Sequence, residues 1–170
     1  MQTNINSLEN AHYGRVGNEI HPKIVLRHNF NSTTNKISTC ADLNTKFSGR
    51  ILIVDDEQEI CNILACYCRN FGFEIDTANN GLEALEKFKN NNYKVLITDY
   101  QMPILDGRGL ILKIRELQGT QDLKIILCTG QAASIGDSLL NELRALFSLV
   151  IFKPFSKQIV YDGISKLLAQ

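Results

Sequence analysis

The sequence predicts an α/β fold built on a doubly wound, five-stranded parallel sheet, and three observations predict it. Five short apolar runs, at residues 50–54, 73–77, 94–98, 124–128 and 149–152, have the continuous hydrophobicity of strands buried on both faces. The stretches between them are long enough for crossover helices. Polar residues of distinct chemistry follow four of the runs: Asp55 and Asp56 in ILIVDDE, Asp99 in VLITDY, Thr129 in IILCTG, and Lys153 in VIFKPF. Right-handed crossovers put the loops after such strands on one carboxyl edge, so these side chains are expected to meet there.

Each helix has its own signal. From Glu57 to Phe71, residues Ile60, Ile63, Leu64, Tyr67 and Phe71 recur at helical spacing, and Gly72 marks the end. A second helix near 82–89 is expected to bury Leu82, Leu85 and Phe88. A third runs from Gly107 to Leu117, and the last from an N-capping Ser156 to Leu168. The fourth, around 132–146, is interrupted at its start by Ser134, Gly136 and Asp137, poor helix formers compatible with a mobile surface element.

Composition bounds the function. The chain has 170 residues, 44% of them hydrophobic, enough for one domain with a sizeable core. Eighteen basic residues balance eighteen acidic ones, so net charge suggests neither a nucleic-acid nor a membrane partner. Five cysteines is an odd number, and Cys61, Cys66 and Cys68 crowd one helix without a C-x-x-C spacing; they read as small apolar fillers in a reducing, cytoplasmic setting. No apolar stretch reaches membrane-spanning length, and the N-terminus lacks the basic and apolar regions of a signal peptide.

Residues 1–49 differ in kind from 50–170. They are rich in Asn, Ser and Thr, show no sustained period, and contain one short apolar run, Ile24–Leu26. They are expected to be largely disordered, or a loosely docked arm that packs through that run.

The convergent residues suggest a reaction. Three carboxylates packed together repel, and a hard divalent cation relieves them because Mg²⁺ takes oxygen ligands. Carboxylates, a hydroxyl and an ammonium at one edge are the parts for holding Mg²⁺ and moving a phosphoryl group onto an aspartate. Each residue alone has a plainer reading. Asp55 and Asp56 suit a helix cap, Asp99 a turn, Thr129 a loop, and Lys-Pro is commonplace. It is four motifs in order on alternating strands and helices that favour the chemical reading. Asp106, with Gly107, reads as a turn and cap outside the site.

Those motifs, above all D-x-x-M-P-x-x-D-G from Asp99 to Gly107 and Lys153-Pro154, resemble the receiver domain of two-component response regulators over about residues 50–170. The resemblance implies a flavodoxin-like fold with strand order 2-1-3-4-5. It implies Asp99 as phosphoacceptor and Mg²⁺ held by Asp56, Asp99 and the backbone carbonyl of Gln101, with Asp55 acting through water. Thr129 and Lys153 would contact the phosphoryl oxygens. The donor would be a histidine kinase or histidine phosphotransfer protein, and the only catalysis that of the chain's own phosphorylation and dephosphorylation.

Two features set expectations about output. Many receivers carry Tyr or Phe three residues before the lysine, where this chain has Val150, so coupling by an inward-turning ring is not expected. The switch should then appear in the loop and helix of 129–146. No helix-turn-helix, basic region or catalytic module is read after the last helix, so the expected output is a protein contact, with no nucleic acid and no membrane. The alternatives are a detached receiver portion of a hybrid sensor kinase, for which His28 in RHNFN is a weak acceptor candidate better read as a loop histidine, and a constitutive pseudo-receiver. Intact Asp56, Asp99, Thr129 and Lys153 argue against the latter.

Overall fold

The computed structural model describes residues 14–16, 19–21, 24–26, 47–117, 119–130 and 146–169. The helix expected over 132–146, apart from its last residue, and His28 lie outside them, as does most of the segment expected to carry the switch.

The described residues form β1 (Gly14–Val16), β2 (Glu19–His21), β3 (Ile24–Leu26), β4 (Arg50–Val54), α1 (Gln58–Asn70), β5 (Glu74–Ala78), α2 (Gly81–Asn90), β6 (Val95–Thr98), α3 (Gly107–Arg115), β7 (Lys124–Thr129), β8 (Leu149–Phe152) and α4 (Lys157–Leu168). The five expected strands run β5-β4-β6-β7-β8 across the sheet, all parallel, which is the order 2-1-3-4-5. A sixth strand comes from the leader: β3 pairs parallel with β8, Ile24 opposite Leu149 and Leu26 opposite Ile151. β1 and β2 form a separate antiparallel pair.

Strand alternation splits the core into two layers. Ile51, Ile53, Val95, Ile97, Ile126, Cys128, Leu149 and Ile151 face α1 and α4. Leu52, Val54, Leu96, Ile125, Leu127, Val150 and Phe152 face α2 and α3. Period-2 alternation with both faces apolar is why each strand reads as an unbroken hydrophobic run. Burying each such side chain is worth roughly 1.5–3 kcal/mol, and the sheet is anchored accordingly.

Two helix faces differ from expectation. α1 turns Cys61, Leu64, Ala65 and Cys68 to the core, while Ile63 is 41% exposed and Ile60 and Tyr67 flank the contact. Small thiols and an alanine let the helix lie close to the sheet, and the larger side chains are displaced to its margins. α2 buries Ala84 and Leu85, with Phe88 partly covered, but leaves Leu82 half exposed in its first turn. Burial pushes the thiols up, Cys61 to about 11 and Cys68 to about 12, as suits fillers, and Cys66 alone among the described cysteines is exposed.

Helix ends follow the sequence. Ser156 caps α4 by accepting from the Ile159 amide, Asp106 caps α3 by accepting from the Gly109 amide at 2.7 Å, and Gly72 closes α1 at φ 104°. Phe47, on the leader side of residue 50, donates its amide to Phe71 O at 2.9 Å and stacks on Phe73 at 5.3 Å between centroids. No helix among the described residues is long and apolar enough to cross a membrane.

Candidate functional site

The carboxyl ends of β4, β6, β7 and β8 bring Asp55, Asp56, Asp99, Thr129 and Lys153 together; Asp55 is buried beside Lys153, and the other four line an open cleft of about 300 Å³ with Gln101. Backbone hydrogen bonds fix the strand ends. The Asp55 amide donates to Ala78 O at 3.2 Å, Asp99 to Val54 O at 2.9 Å, and Lys153 to Thr129 O at 2.9 Å. Beneath Asp99 the chain folds back tightly: Gly107 donates to Tyr100 O at 3.0 Å, and a Cβ on Gly107 would collide with the Asp99 carbonyl. The glycine is therefore required by close approach of two backbone segments.

Neither Asp55 nor Asp56 caps α1. Its N-cap is Glu57, which makes no side-chain capping bond. Asp55 Oδ1 instead accepts from the Glu57 amide at 3.0 Å, which holds the carboxylate inward. The Asp99 carboxylate is fixed likewise, Oδ1 accepting from the Tyr100 amide at 2.8 Å. Lys153 Nζ reaches into the cluster, 2.7 Å from Asp55 Oδ2, 3.3 Å from Glu57 Oε1 and 3.7 Å from Asp99 Oδ2.

Three carboxylates, those of Asp55, Glu57 and Asp99, share that ammonium, and the crowding shows in the proton affinities of Asp55 and Asp99. Burial pushes Asp99 up to about 6, against the opposing pull of Lys153 and the Tyr100 amide, with Asp55 and Asp56 adding repulsion. Burial also raises Asp55 despite its contact with Lys153. Burial alone would lower Lys153, but Asp55 and Asp99 outweigh it and hold the ammonium firmly charged.

The donor set fits a hard divalent cation. Asp55, Asp56 and Asp99 each offer an oxygen, all within 4.8 Å of one another. Oxygens sharing one Mg²⁺ at 2.0–2.1 Å lie at most about 4.2 Å apart, so the adjustment needed is below an ångström. Asp55 Oδ2 is buried and accepts no hydrogen bond of good geometry, although the Lys153 ammonium lies beside it. A buried carboxylate oxygen held only by a charge contact is one a cation can satisfy.

One site residue was missed by reading the sequence. Glu57 lines the cleft and pairs with Lys153. The available signal was its place as the third acidic residue of VDDE, where a helix start offers the plainer explanation. Asp106 stands apart from the cluster as a cap, as expected.

Comparison with known proteins agrees with this fold. The family model for the response regulator receiver domain matches residues 51–164. The transcriptional regulatory protein CpxR homolog of Haemophilus influenzae is 34% identical over 119 residues, 70% of this chain and 50% of that protein. The transcriptional regulatory protein SrrA of Staphylococcus aureus is 36% identical over 124 residues, 71% of this chain and 48% of that protein. The chain thus spans about half the length of these curated relatives. Among solved structures, the response regulator TrrA of Thermotoga maritima in complex with Mg(2+)-BeF superposes with a TM-score of 0.60 at 36% identity, covering 69% of this chain and 97% of that one. The chemotaxis protein CheY4 of Vibrio cholerae, at 23% identity, shares the fold with a TM-score of 0.66 over 71% of this chain and 99% of that one. Fold, strand-end residues and family match lead to one conclusion: the chain belongs to the response regulator receiver domain family.

Proposed function

We propose that the chain is the phosphoacceptor of a two-component or phosphorelay system, with Asp99 receiving a phosphoryl group from a phosphohistidine donor, either a histidine kinase or a histidine phosphotransfer protein. The observation that carries this is the state of Asp99: a carboxylate in an open cleft, tied down at Oδ1 and with Oδ2 toward Lys153. An Asp99 oxygen attacks phosphorus in line, the phosphorus–nitrogen bond breaks, and the imidazole leaves with the electron pair and is reprotonated. Asp56, Asp99 and the Gln101 carbonyl would hold Mg²⁺ directly, and Asp55 would act on it through water. The cation supplies charge neutralisation at the transferring oxygens.

This chain's own residues do the rest. Lys153 exchanges its contact with Asp55 for the incoming phosphoryl oxygens, and Thr129 donates its hydroxyl to them. The chain acts on no separate substrate; its catalysis is confined to its own Asp99. A cytoplasmic setting suits both this donor and described cysteines that are all free thiols. Phosphorylation then biases the segment 129–146, and with it partner binding. The relatives are named as transcriptional regulators about twice as long, which supports a second reading in which a receiver of this kind controls a DNA-binding module. For these residues, neutral net charge offers no drive toward DNA, and we retain the protein contact.

The test is labelling by a small acyl phosphate, with and without Mg²⁺. Mg²⁺-dependent incorporation that disappears in Asp99→Asn is expected. Labelling that survives that substitution, or that needs no divalent cation, overturns the assignment.

A further inference from the structure

The two outer edges of the five-stranded receiver sheet are protected in different ways. β5 carries Glu74 and Asp76, with Arg50 of the neighbouring strand 2.8 Å from the first and 3.8 Å from the second. Charges along an edge strand discourage another chain from adding to it. β8 is Leu-Val-Ile-Phe, with no charge and all four residues buried. Such an edge is a template for strand addition, and here β3 occupies it through three residue pairs, in parallel register.

We propose that the outer edge of β8 is a strand-acceptor site and that the leader segment Ile24–Leu26 is its exchangeable cis ligand. Three paired residues make few ladder hydrogen bonds, each worth about 0.5–1.5 kcal/mol net, so the pairing is weak on its own. It is held by its tether. Residues 27–46, rich in Asn, Ser and Thr, separate β3 from Phe47, which is anchored on Phe71 and Phe73. Covalent linkage makes the pairing intramolecular, which seats a weak strand that one supplied in trans at sufficient concentration can replace. The ligand chemistry is that of the occupant: three consecutive aliphatic residues, two of them β-branched, recognised through backbone hydrogen bonds. The edge adjoins the candidate site, since Phe152 is registered on Thr129 and the next residue is Lys153.

The test uses the full chain without any phosphoryl donor, so its failure is distinct from failure of the phosphoacceptor reading. Amide hydrogen exchange is followed at residues 149–151 in the wild type, in Val25→Pro, which removes a backbone N–H from the middle of β3, and in Val25→Thr, which keeps a strand former there. The expected result is at least tenfold faster exchange of the outward-facing β8 amides in Val25→Pro, with β4 amides unchanged and Val25→Thr like wild type. A synthetic peptide of residues 21–29, HPKIVLRHN, at millimolar concentration should restore protection to Val25→Pro. Unchanged β8 exchange in Val25→Pro overturns the proposal, as does failure of the peptide to protect. Loss of β4 protection in that variant also overturns it, because the leader would then be part of the folded core and not a replaceable ligand.

Discussion

The amino and carboxyl ends of the central strands gather similar charges and hold them in opposite ways. At the amino end Arg50 donates to Glu74 at 2.8 Å and to Asn91 Oδ1 at 2.8 Å, on a partly exposed surface beside a shallow cavity of about 760 Å³. At the carboxyl end three carboxylates, Asp55, Glu57 and Asp99, share the Lys153 ammonium, beside a cleft of about 300 Å³. Arg50 at the larger cavity is matched by Glu74 and Asn91, whereas at the smaller one Asp55 and Asp99 stay crowded against each other under burial. What singles out the candidate site is crowded charge under burial, and cavity size points the other way.

The sharpest way to break this comparison is to remove the central carboxylate. Asp99→Asn should abolish phosphoryl incorporation and at the same time stabilise the metal-free protein at pH 7, because a buried, crowded charge disappears. With Asp99 pushed up to about 6 from an ordinary 3.8, the gain is bounded at about 3 kcal/mol, and solvent reaching the open cleft reduces it to about 1–2 kcal/mol. Thermal denaturation alongside labelling checks both halves. A variant that loses labelling and stability together would mean that the carboxylates are held favourably, like those at the amino end.

A second test uses pH. The folded protein binds the Asp99 proton more tightly than the unfolded chain does. The stability this contributes is complete below about pH 4 and is lost as pH rises through about 6. Metal-free protein should therefore lose stability over that window, and saturating Mg²⁺ should raise the melting temperature more at pH 7.5 than at pH 5. Equal Mg²⁺ effects at the two pH values would show that the cation binds elsewhere.

The same contrast explains what could be read from sequence. Strands buried on both faces are unbroken apolar runs, and the residues that follow them are placed by the sheet itself, so the convergence of Asp55, Asp56, Asp99, Thr129 and Lys153 was legible in the sequence. The inner face of α1 was misread because periodicity favours large side chains, whereas close packing chose Cys61, Ala65 and Cys68. β3 was legible only as an apolar triplet, since an added edge strand is defined by its neighbour and three residues show no period. Glu57 was hidden because its carboxylate matters through Lys153, which is 96 positions away in the chain.

Backbone strain extends the comparison. Ile104, in the loop between Asp99 and Asp106, is 78% exposed and sits at φ 72°, a left-handed conformation that a β-branched residue rarely adopts. Such strain costs on the order of 1–2 kcal/mol, partly returned in any glycine variant by the greater freedom of its unfolded chain. Ile104→Gly should thus stabilise the protein by about 0.5–1 kcal/mol in denaturant titration, leaving the Asp99 carboxylate untouched.

The smallest expected effect belongs to the amino end. Arg50→Gln removes the guanidinium from Glu74 and Asp76, but both carboxylates face water and regain hydration when the ion pair is lost. Exposed ion pairs contribute little because solvent screens them and ordering two side chains opposes their attraction. The melting temperature should shift less than in Ile104→Gly, and Mg²⁺-dependent labelling of Asp99 should keep its wild-type rate. That rate is the informative readout, because β4 joins Arg50 at its first residue to Val54 at its last, next to Asp55. A change in labelling without a change in stability would mean that charge at one end of the strand is felt at the other, and the two ends would have to be treated as one coupled system.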